Sequence, residues 1–142
     1  MTHEEKRAWI MLVVSAVGYA VYAIVVLSRV DGGPLAATHY AGVLLWTIGG
    51  AIVASIVAEI AIGVVNPRAS RVKDVRDREI GRLGDHVGQA FVIIGAVSAL
   101  LMALAEWDWF WIGNVIYLCF VLSAVVGSLA KVIVYRRGVP QW

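Results

Sequence analysis

Four runs of the chain, about 8–27, 40–65, 87–105 and 109–135, are each apolar and long enough to cross a hydrocarbon slab of about 30 Å. No other feature constrains the fold as strongly, because a spanning segment must satisfy its own backbone hydrogen bonds and only helices or closed barrels do so in lipid. The runs are too long for barrel strands, so the expected class is all-α: a polytopic four-helix bundle in one membrane domain, 1–142. With 61% hydrophobic and 15% charged residues, against roughly half and a quarter in soluble domains, little chain is left for a separate soluble core.

Basic residues set the expected topology. Lys6 and Arg7 precede the first run, six basic residues from Arg68 to Arg82 separate the second from the third, and Lys131, Arg136 and Arg137 close the fourth. The positive-inside rule puts both termini and the loop at about 66–86 in the cytoplasm, and the two remaining connections outside. The first run exceeds a typical signal-peptide core, and Glu4 and Glu5 spoil a purely basic leader, so it reads as an uncleaved helix. Trp107, Trp109 and Trp111 at one boundary, with Trp9, Tyr135 and Trp142 at the other, fit headgroup anchors.

Local punctuation places the helix ends. Thr2 and Glu5 have capping-box spacing, Asp31-Gly32-Gly33-Pro34 stops the first helix, Thr38 offers a cap to the second, and Asn66-Pro67 ends it. In the loop, an Asp74 to Arg78 pair and apolar Val72, Val75 and Leu83 suggest a short amphipathic helix on the membrane surface. Asp85 then suits the positive start of the third helix.

The chain reads as two parallel-repeat hairpins. Ala51, Ser55 and Glu59 in the second run match Ser123, Gly127 and Lys131 in the fourth: small, small, charged at every fourth residue, on helices of the same direction. Glu59 and Lys131 therefore reach similar depths and form a candidate intramembrane pair, whether as a packing-specific ion pair or as a proton or cation site. Gly63 extends one stripe. Gly84 and Gly88, followed by Gly95, Ala99 and Ala103, form another, fit for close helix contact inside one chain or between two.

Catalytic equipment is not evident. His39 and His86 fall at opposite membrane faces and His3 in a tail, and no metal-ligand spacing, phosphate loop or nucleophile motif is present, so no metal, cofactor or catalytic residue is expected. Cys119 is the only cysteine and fits a packing role. The basic loop suits anionic headgroups more than nucleic acid, because Asp74, Asp77, Glu79 and Asp85 break its field and no aromatic side chains are interleaved.

Asp74-Val75-Arg76-Asp77-Arg78-Glu79-Ile80, followed by Gly84-Asp85-His86-Val87-Gly88, resembles the Asp-Glu-Arg-Asp-like cytoplasmic motif of uncharacterised small prokaryotic membrane proteins with four predicted helices, with Val75 in place of the second acid. The resemblance implies a shared structural or docking element in which Asp77, Arg78 and Glu79 pair with one another, a second subunit or a cytosolic protein. The expected function is a non-enzymatic, oligomeric module, for instance a dimer, of the prokaryotic cytoplasmic membrane, contacting lipid and using its charged loop for assembly or regulation. The alternative is a small proton- or cation-coupled transporter or channel centred on Glu59.

Overall fold

Thr2 accepts a hydrogen bond from the Glu5 amide at 3.1 Å and so opens α1 (His3–Ser28) at the expected capping position. A 3₁₀ turn, Leu35–Ala37, leads to α2 (Ala41–Val65); α3 (Val75–Leu104) and α4 (Trp109–Arg137) complete an all-helical chain. All four helices are long and apolar enough to span a membrane. This computed structural model describes residues 2–30, 32–67 and 72–138; Asp31, Arg68, Arg71 and Trp142, on which parts of the sequence reading fall, lie outside them.

Two helix starts differ from the sequence reading. Tyr40, not Thr38, precedes α2; Thr38 instead closes the 3₁₀ turn, its amide donating to the Leu35 carbonyl at 3.1 Å. The separate surface helix does not exist: α3 begins at Val75, and the residues assigned to the loop as far as 86 are its first turns. Asp74 caps it instead of pairing with Arg78. Its carboxylate accepts from the Asp77 amide at 2.7 Å, and the Asp77 carboxylate accepts in return from the Asp74 amide at 3.3 Å. That reciprocal pair satisfies two amides that would otherwise end the helix unbonded.

The α3 to α4 connection is a Schellman turn. Trp107 and Glu106 donate their amides to the carbonyls of Met102 and Ala103, and Glu106 takes the left-handed φ of 56° that such a turn requires. The tight reversal brings α3 and α4 together along their length. Gly84, Gly88 and Gly95 face Gly127, Ser123 and Cys119, and a β-carbon on Gly127 would lie 2.9 Å from the Gly84 carbonyl oxygen. Backbones approach this closely in lipid only where side chains are absent. The Gly84 stripe and the Ser123/Gly127 stripe are therefore two sides of one internal contact.

α4 also packs on α1, and α1 on α2, whereas α2 and α3 make no extensive contact. The bundle is open. Lipid is as apolar as leucine, so no force compels every apolar face to be covered by protein. α2 meets α4 through side chains, in a core of Tyr22, Val26, Val43, Phe110 and Tyr117 at the end opposite the termini. Tyr22 donates to the Asn114 side-chain oxygen at 2.5 Å, Tyr117 and Thr47 share a hydrogen bond at 3.2 Å, and the Tyr22 and Tyr117 rings meet edge to face. Buried hydroxyls are thus satisfied where water is absent.

Candidate functional site at the basic end

At about 1.5 Å per residue, the 30 residues of α3 and 29 of α4 measure about 45 and 43 Å, well beyond a slab of about 30 Å. Charge places the surplus at one end: α3 opens with the charged run from Arg76 to Asp85, and α4 closes with Lys131, Arg136 and Arg137. α1 starts there too, since Glu5 lies 3.6 Å from Arg136.

The side chains at this end join all four helices. Glu59 of α2 accepts from Arg7 Nε of α1 at 3.0 Å; Arg7 also reaches Glu4 at 3.6 Å, and Glu4 reaches Lys73, before α3, at 3.5 Å. Lys131 of α4 meets Asp85 of α3 at 2.7 Å. One turn further out, the Tyr135 hydroxyl donates to Asp77 at 2.7 Å, and Arg76 donates to the Tyr135 carbonyl at 3.3 Å. Arg136 also lies over the Trp9 ring, 5.6 Å from its centre, which places a cation against an aromatic face.

The expected contact between Glu59 and Lys131 is replaced by two others. Both side chains line one hollow of about 160 Å³, together with Ser55, Ser128, Glu4 and Arg7, but each has a nearer partner. Arg7 sits on the helix adjoining α2, and the stem of Lys131 lies against Gly84, which directs its ammonium to Asp85, the next residue of α3. Asp85 is accordingly well inside α3, not at its positive start. Asp77, Arg78 and Glu79 do not pair with one another: Asp77 is held by the cap and by Tyr135.

The remaining sequence candidates separate by role. Ala51 faces Gly18 of α1, Ser55 lines the hollow, and Gly63 is half-buried near the end of α2. Gly84 and Gly88 pack on α4. Arg78, Glu79, Arg82 and His86 are exposed along one stripe of α3, and their side chains make no hydrogen bond or ion pair among the described residues. The ties of Arg7, Glu4, Lys73 and Tyr135 are not legible in the sequence, apart from the i,i+3 spacing of Glu4 and Arg7.

Chemically, the basic end is a clamp of opposite charges that fixes four helix ends, with an unoccupied charged edge on α3. Comparison with protein-family models, with curated proteins and with solved structures found no match.

Proposed function

We propose that the protein is a non-enzymatic module of the prokaryotic cytoplasmic membrane, with both termini inside, whose overhanging α3–α4 end docks a second copy of the chain or a cytosolic protein. The observation that carries this reading is the contrast within one short segment. Arg76, Asp77 and Asp85 are occupied in ties, while the side chains of Arg78, Glu79 and Arg82 stand exposed and without a partner among the described residues on the same turns. Long charged side chains held on a rigid helix select partners by charge pattern. The resemblance of the Asp74 to Gly88 segment to a four-helix family's cytoplasmic motif agrees with a docking role.

A parallel repeat of two hairpins has support in the packing, because the small stripe of each second helix, at Ala51 and at Ser123 with Gly127, faces the first helix of its own hairpin. Ion carriage at Glu59 has less support. Its carboxylate is engaged by Arg7 at 3.0 Å, which favours a link between helix ends over a carrier site.

The test places a photo-crosslinking residue at Glu79 in intact membranes and compares the wild-type chain with a variant carrying R78A and R82A. The expected result is a discrete crosslinked product that is lost when both arginines are replaced, with the monomer's thermal unfolding unchanged. A product of undiminished yield in the double variant defeats the proposal.

A further inference from the structure

At the end opposite the termini, an apolar groove of about 810 Å³ runs between α1 and α2. Val14, Val17 and Val21 form one wall and Gly42, Gly50 and Ala54 the other, and β-carbons added at Gly42 or Gly50 would meet nothing within 4 Å. From Val13 to Arg29 the groove follows about 24 Å of α1 axis, longer than one leaflet of about 15 Å.

Arg29 closes its upper end. The same residue lines a second, polar hollow of about 590 Å³ formed with Ser28, Thr38, His39 and the turn at Gly33 and Pro34. Arg29 is exposed, has no ion pair or side-chain hydrogen bond among the described residues, and is the only lysine or arginine at this end. A guanidinium with no ion-pair partner among the described residues, set between an apolar slot in the membrane and a polar hollow at its surface, matches an amphiphile with an anionic head.

We infer that this composite site binds an anionic phospholipid, with an acyl chain in the α1–α2 groove and its phosphate on Arg29. A second copy would fill the groove equally well with apolar side chains, but it would need to supply an acid to Arg29 and leave the polar hollow unexplained. A phospholipid meets both requirements with one molecule.

Trp46 lines the groove and is 83% exposed within the chain, which makes it a built-in reporter. The full chain is reconstituted in phosphatidylcholine vesicles carrying bromine on the acyl chains of either phosphatidylglycerol or phosphatidylcholine, and the Trp46 signal is isolated by difference against W46F. Brominated phosphatidylglycerol is expected to quench at about fivefold lower mole fraction than its zwitterionic counterpart, the advantage of one charge pair near a membrane surface. R29Q should bring the two curves together. Gly50→Leu, which fills the groove and leaves Arg29 in place, should weaken quenching by both lipids, and soluble glycerol phosphate should displace neither. Coincident curves for the wild-type chain, a preference that survives R29Q, or displacement by glycerol phosphate would overturn the site. So would a Trp46 that neither lipid reaches in a particle of twice the chain's mass, which would assign the groove to a second copy.

Discussion

Glu59 is the acid that most disturbs the apolar runs, and its surroundings show how the chain accommodates it. Its bond to Arg7 joins side chains that are 43% and 42% exposed at the charged end of the bundle, and a pair reached by interfacial water is screened and contributes little to stability. Glu59→Gln should therefore lower stability by less than about 1 kcal/mol, measured by thermal unfolding in a mild detergent; a larger loss would mean that Glu59 anchors more than the end of α2. Glu59 and Lys131 were legible as special because each interrupts an apolar run. Their partners were not legible: Arg7 is 52 positions from Glu59, and Asp85 becomes available only because α3 starts early enough to carry it past Lys131.

Hydropathy marks what lipid can touch, not where a helix begins, and α3 illustrates the difference. Its apolar part is legible in the sequence, whereas the charge of its first turns reads as a loop, although Asp74 and Asp77 have the spacing of a reciprocal cap. The glycines of α3 were readable as contact surface, but whether that contact lay within the chain depended on the α3–α4 turn. At Gly95 the contact is specific enough to test, since a β-carbon there would lie 2.5 Å from Cys119 Cβ. Gly95→Ala should cost about 1–3 kcal/mol through overpacking, and adding Cys119→Gly, which removes the opposing carbon, should restore much of it. Equilibrium unfolding of the single and double variants measures both effects; equal instability in the two would show that α3 and α4 do not meet there.

The four spans were readable from composition, but their order of contact was not, because lipid-facing helices lack the polar face that marks orientation in water. α1 stands between α2 and α4, with Gly18 against Ala51; a β-carbon at Gly18 would be 3.8 Å from Ala51 Cβ, close to the spacing of a disulfide. In a C119A background, G18C with A51C should oxidise to a crosslink within one chain, seen as a faster band on a non-reducing gel, whereas A54C with V97C, joining α2 to α3, should not. A crosslink only between chains would redraw the arrangement. The pairing of α3 with α4 also restricts how movement can cross the bilayer. Advancing either helix by one turn would bring Ile80 or Val92 to places where only a hydrogen atom fits, so piston-like sliding is blocked on that side, and a signal passed from one face to the other must travel by tilting or parting α1 and α2.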